Sequence, residues 1–327
     1  MQSDAAPATG KRTPAWKLAL NLALFVGLVG VFAWQVMKSR KEIAAYHWTI
    51  NWELTGVALL LLLVCSTVDI LIWNRTLGWF TDPLPFRQAA PVYIWSYIAR
   101  YIPGKVGSLI LRAALATQVK REPVPVLASS TVELGLRLGS GAFLFVAVLF
   151  GWGFRDVSPI VKIASLLIVP LALICAHPKV MLPVMNWGLR KIKQQQLQRP
   201  LGYGEVLGVF CALLIRWVLY GFSYAVFAAA LFPNAMAQTP VLIGLASGAW
   251  VIGFLSGMPG GTGLAELTQA TILATIGFPV AIVKMLPILA RLLTLVGEGL
   301  WSLAAWGFWA RRSKTPVMVA DEAPVAQ

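Results

Sequence analysis

The sequence predicts an all-α polytopic membrane protein, with about six full transmembrane helices plus two re-entrant helical hairpins in an inverted repeat. Three observations predict it. Of 327 residues, 58% are hydrophobic and only 12% are charged, against about 25% charged in ordinary globular domains. Uncharged apolar runs recur, each close to the roughly 20 residues that cross a hydrocarbon core of about 30 Å. Two further apolar segments are each interrupted by Pro-Gly. The mean hydropathy of +0.74 agrees. This composition excludes a disordered chain, a nucleic-acid-binding domain and an ordinary soluble enzyme.

Residues 1–14 are small, polar and Pro-containing and read as a disordered cytoplasmic tail. The membrane domain then covers 15–310, and 311–327 forms a second cytoplasmic tail. Full crossings are expected at 15–37, 54–73, 123–150, 159–176, 206–232 and 280–309. The first follows Lys11, Arg12 and Lys17, but its uncharged run is longer than a signal-peptide core and no small-x-small site follows, so it reads as a membrane helix. Segments 88–119 and 240–277 differ. Pro103-Gly104 breaks one and Pro259-Gly260-Gly261-Thr262-Gly263 breaks the other. Pro lacks an N–H and Gly weakens a helix. Irregular backbone at membrane depth survives only beside protein or a watery cavity. Each segment is therefore expected to be a pair of half-helices meeting at a Pro-Gly turn.

Loop charge sets the orientation. Loop 177–205 carries Lys179, Arg190, Lys191, Lys193 and Arg199 against Glu205, whereas loop 233–239 carries none. The first is expected inside and the second outside, with both termini inside a bacterial inner membrane. Loop 38–53, with Lys38, Arg40 and Lys41, then falls outside, against the rule. The net charge of +14 otherwise reads as topology and attraction to anionic lipid. The order helix, helix, hairpin, helix occurs twice, over pseudo-repeats 15–150 and 159–309. Pro103-Gly104-x-x-Gly107 is answered by Pro259-Gly260-x-x-Gly263. Such inverted repeats build many transporters.

Eleven charges lie within apolar segments: Asp69, Arg100, Lys105, Arg112, Glu133, Arg137, Arg216, Glu266, Lys284, Arg291 and Glu298. A charge at the bilayer centre costs about 2.5–3.5 kcal/mol on insertion scales, so each needs a partner or a cavity. Seven are basic and four acidic, and the surplus points to an anion such as a phosphate head group. Glu133 and Arg137 are four apart and share a helix face, where mutual neutralisation competes with a functional role. Lys284, Arg291 and Glu298 recur every seven residues as one stripe facing the second hairpin or a cavity. The turns Pro103, Gly104, Gly107 and Pro259, Gly260, Gly261, Gly263 are expected to gate the site. N–H groups at half-helix starts attract anions, with Lys105 and Arg112 reinforcing the first turn. Close helix packing through small residues explains the same glycines equally well.

No G-x-S-x-G, H-E-x-x-H or Walker A motif occurs, so no enzyme activity and no cofactor are expected. Cys65, Cys175 and Cys211 lie in apolar runs, and His47 and His177 have no ligand spacing, so no metal site is expected.

Tyr101-Ile102-Pro103-Gly104-Lys105-Val106-Gly107, followed by Arg112, resembles the first signature of the lysylphosphatidylglycerol synthase transmembrane region, the flippase-like domain family. Met258-Pro259-Gly260-Gly261-Thr262-Gly263-Leu264-Ala265-Glu266, followed by Arg291, resembles its second. The resemblance implies a protein that binds and translocates lipid: an anionic phospholipid, a polyprenyl-phosphate-linked lipid or a hopanoid. Lys105, Arg112, Glu133, Arg137, Glu266 and Arg291 are the expected head-group contacts. Where the family's third helix often carries Glu-Arg, this chain has Glu133-Leu134, and Arg137 stands one turn on. No aminoacyl-transferase domain follows residue 310, so lysyl transfer is not expected of this chain. A lipid-biosynthesis enzyme as separate partner, or a scaffold role in an envelope complex, are the alternative expectations. No nucleic-acid partner is expected.

Overall fold

The computed structural model describes residues 37–38, 40–101, 107–151, 179–180, 183, 186–187, 190, 202–258, 261 and 263–312. The expected crossings 15–37 (but for its last residue) and 159–176 lie outside these residues, as do tail 1–14, the tail beyond Arg312, Pro103, Gly104, Lys105, Pro259 and Gly260.

A short helix α1 (Arg40–Ala45) precedes α2 (Trp52–Leu77). The α2 start is set by Asn51, whose side-chain oxygen accepts the Leu54 N–H at 3.0 Å. Its end is set at Gly78, whose N–H bonds the Asn74 carbonyl at 3.1 Å. The Asn74 amide then clamps the following loop, donating to the Leu84 carbonyl at 2.7 Å and accepting from its N–H at 2.8 Å. Pro85 leads into α3 (Phe86–Ile98), which tightens into a 3₁₀ turn at Ala99–Tyr101. Then come α4 (Gly107–Thr117), α5 (Pro123–Gly151) and α6 (Tyr203–Leu231). A 3₁₀ turn over Pro233–Gln238 leads to α7 (Thr239–Ser256), α8 (Leu264–Thr275) and α9 (Val280–Arg312). Among the described residues no strand occurs.

Among the described residues, five helical stretches are long and apolar enough to cross a membrane: Trp52–Leu77, Pro123–Gly151, Tyr203–Leu231, Pro233–Ser256 and Val280–Ala310. Four match expected crossings. The fourth of these stretches is a departure. Helix α7 has 18 residues and is longer than the half-helix expected of it; at 1.5 Å per residue it spans about 27 Å. Helices α3, α4 and α8, of 13, 11 and 12 residues, fall well short of that. On the outside, Leu60, Ile215 and Leu303 are each more than 60% exposed. Large apolar side chains facing outward on spanning helices suit lipid and are costly in water.

The helices on either side of each Pro-Gly motif pack on each other. Helix α3 packs on α4, and α7 on α8. Where α4 begins, a Cβ on Gly107 would lie 3.2 Å from the Ala99 carbonyl oxygen. In α7, a Cβ on Gly253 would lie 2.8 Å from the Gly261 carbonyl. Gly257, Gly261 and Gly263 all have positive φ, a conformation that costs glycine little.

The helix pairings have a two-fold regularity. Helices α2 and α6 pack on each other at the centre. Helix α5 packs on α7 as α9 packs on α3, α5 on α6 as α9 on α2, and α4 on α5 as α8 on α9. Exchanging α2–α5 with α6–α9 leaves these pairings unchanged. Glycines permit the closest approaches. A Cβ on Gly244 or Gly248 of α7 would collide with Val148 or Phe145 of α5.

Candidate functional site

Five charged side chains from four helices form one buried chain of ion pairs. Arg112 (α4) places Nη1 3.2 Å from Glu133 Oε2. Glu133 Oε1 lies 2.6 Å from Arg137 Nη2 within α5. Arg137 Nη2 donates to Asp69 Oδ1 of α2 at 2.6 Å. Asp69 closes the chain by accepting Nε and Nη2 of Arg216 (α6) on its two oxygens at 2.9 and 3.1 Å. All five are at most 5% exposed. The expected Glu133–Arg137 pairing is present, but neither acid serves a single base. Each carboxylate bridges two guanidiniums.

Hydroxyls and rings complete the shell. Arg112 Nε donates to Ser96 Oγ at 3.0 Å, and Arg137 Nη2 to the Tyr93 hydroxyl at 2.9 Å. Trp73 Nε1 and Arg112 Nη1 both donate to Ser130 Oγ. The Arg112 guanidinium lies 4.1 Å from the Tyr93 ring centroid, and that of Arg216 lies 4.5 Å from Trp217 and 4.9 Å from Tyr220. Stacked faces stabilise a desolvated cation.

Two further pairs tie the turn after α3, and α8, to α9. Arg100, in the 3₁₀ turn after α3, pairs with Glu298. Arg291 Nη1 stands 3.7 Å from Glu266 Oε1 of α8. The Glu266 carboxylate also accepts the Gly263 N–H. The anion at the start of α8 is thus the chain's own carboxylate. Both pairs are only partly buried.

These groups line one cavity of about 180 Å³. Its wall carries Arg100, Arg112, Arg137, Arg216 and Arg291 against Asp69, Glu133, Glu266 and Glu298, together with apolar residues such as Ile94, Leu109, Trp250 and Phe254. Of the expected head-group contacts, Arg112, Glu133, Arg137, Glu266 and Arg291 are therefore on one wall, and Lys105 lies outside the described residues. Among the expected gating residues, Gly261 lines the cavity, while Gly107 and Gly263 sit at the starts of α4 and α8. Lys284, the first member of the α9 stripe, is half-buried and not on the wall. Asp69, Arg100, Arg216 and Glu298 were recognisable as intramembrane charges but carried no motif that ranked them. The hydroxyls of Tyr93, Ser96 and Ser130 gave no signal in the sequence at all.

The partly exposed Arg291–Glu266 pair should contribute little to stability. With the Gly263 N–H still on Glu266, Arg291→Ala is expected to change stability by less than about 1 kcal/mol. Thermal unfolding in detergent measures this. A larger loss that Glu266→Gln rescues would show a structural ion pair instead.

No protein-family model matches the chain, and no curated protein matches it either.

Proposed function

We propose that this multi-pass membrane protein, of the flippase-like class its two Pro-Gly motifs resemble, binds an anionic or polyprenyl-linked lipid and moves it across the inner membrane. One observation supports this reading above the rest. Among the described residues, a cavity among membrane-length helices has five guanidiniums and four carboxylates on its wall, with apolar side chains beside them. Charge at that depth is too costly to keep without a partner or a ligand, and a cationic surplus beside apolar wall suits a head group with its acyl chain attached. Arg112, Glu133, Arg137, Glu266 and Arg291 are its polar contacts. The exchange regularity of the helix pairings supports a two-fold repeat; in this reading the repeat is inverted, both hairpins are re-entrant and both termini are cytoplasmic. In this proposal Pro103, Gly104, Gly107 and Pro259, Gly260, Gly261, Gly263 are the gating residues, with the two gates opening from opposite sides.

Two experiments test it. Native mass spectrometry of the purified protein should show retained anionic lipid, and scrambling assays in vesicles should show movement of that lipid. Retention of zwitterionic lipid alone would refute the reading. Cysteine labelling should place 177–205 inside and 233–239 outside. Labelling of 233–239 only from the cytoplasm would remove the inverted-repeat topology.

A further inference from the structure

The geometry points to Arg137 and Arg216, on either side of Asp69, as the seat of the lipid head group, and to a head group bearing a single negative charge on a phosphodiester. This inference rests on the lipid-binding reading and specifies its site and substrate class.

Three observations carry it. First, the two guanidiniums share Asp69, Arg137 also meets Glu133, and neither guanidinium is saturated. Arg216 spends Nε and Nη2 on Asp69, and its Nη1 has no hydrogen-bond partner among the described residues. Arg137 spends Nη2 on Asp69, Glu133 and Tyr93, and its Nε and Nη1 have no partner among the described residues. Both side chains line the cavity and are at least nine-tenths buried. A buried N–H left without an acceptor is expensive, more so on a charged group. Two such guanidiniums flanking one point suit the tetrahedral oxygens of a phosphate.

Second, the charge arithmetic limits the ligand. The ion-pair chain holds three arginines and two carboxylates. Among the described residues, the wall as a whole holds five cations and four anions. Either count leaves one positive charge, which a monoanion neutralises and a diphosphate overshoots. Third, a cavity of about 180 Å³ is below the roughly 300 Å³ at which small-molecule sites usually begin. It takes a compact head group rather than a glycosylated diphosphate.

The test titrates the full chain in detergent with phosphatidylglycerol, phosphatidylcholine and a polyprenyl diphosphate, read by native mass spectrometry. Inorganic phosphate serves as competitor, and Arg75→Gln, a surface change outside the cavity, as control. Phosphatidylglycerol should be retained about tenfold more than either other lipid, as expected for a charge-assisted contact, and excess inorganic phosphate should not displace it. Arg216→Gln should lose about tenfold in that retention, because Asp69 keeps Arg137 while the free donor is gone. If Arg216→Gln does not fold, Arg216→Lys replaces it. It keeps the charge and lacks the second fork, and should also weaken retention. Preferential retention of the diphosphate lipid, or displacement by inorganic phosphate alone, would overturn the assignment. So would unchanged retention in folded Arg216 and Arg137→Gln variants, and in that case the lipid-binding reading survives. Failure of the unmodified protein to retain any anionic lipid would overturn both.

Discussion

Asp69→Ala is expected to be the most damaging single change in the ion-pair chain. Among the described residues Asp69 is the only carboxylate that Arg216 meets within salt-bridge distance, and Arg137 meets it as well. Its removal leaves two buried guanidiniums facing each other with one remaining acid, Glu133, already shared with Arg112. Breaking a buried pair costs about 3–5 kcal/mol. Arg137→Met should cost less, although Arg137 sits at the centre of the chain. After its loss Glu133 still meets Arg112 and Asp69 still meets Arg216, so no carboxylate is stranded. Yield and thermal unfolding of the two variants in detergent give the ranking. The double change Asp69→Leu with Arg216→Leu should recover much of the loss, since apolar replacement of a whole buried pair is often neutral. An Asp69→Ala protein as stable as Arg137→Met would show that the shared-carboxylate account is wrong.

Gly221→Val is expected to abolish the α6–α7 contact and with it the accumulation of folded protein. A Cβ at Gly221 would stand 2.4 Å from the Ile243 Cα and 2.9 Å from its carbonyl oxygen. Those atoms are backbone and cannot rotate away. The helices must separate, which also moves Arg216, one turn and a little more before Gly221, off Asp69. Overpacking usually costs about 1–3 kcal/mol, and this backbone collision belongs at or above the top of that range. Gly208→Ala supplies the comparison on the same helix. Its Cβ would meet nothing within 4 Å, so the substitution should be neutral or gain the few tenths to about 1 kcal/mol of helix propensity that Gly gives up. Equal yields for the two variants would refute the close-packing argument.

Much of the candidate site was legible because a bilayer penalises charge so steeply. In runs such as 54–73 and 206–232 a lone Asp69 or Arg216 announces itself, and the only question is what it faces. That question has no answer in one dimension. Spacing paired Glu133 with Arg137, because four residues make one helical turn, and that pair is present. Spacing has nothing to say about Asp69 and Arg216, which are far apart in the chain and adjacent only because α2 packs on α6. The α9 stripe shows the converse. Period seven put Lys284, Arg291 and Glu298 on one face, yet only the latter two reach the cavity wall, because one face of a long helix passes several neighbours along its length.

The sequence by itself determined the membrane class and four of the five described helices that are long and apolar enough to cross. Both follow from a local quantity, apolar run length against bilayer thickness. Only the tertiary structure decided that α7 is long enough to cross while α3, α4 and α8 are not. Helix length past a breaker depends on where neighbours let the chain turn, here Gly253 against Gly261. The tertiary structure also decided which charges neutralise which. Two carboxylates shared among three arginines leave donors unmet, and that sharing exists only where four helices bring the side chains within hydrogen-bonding distance.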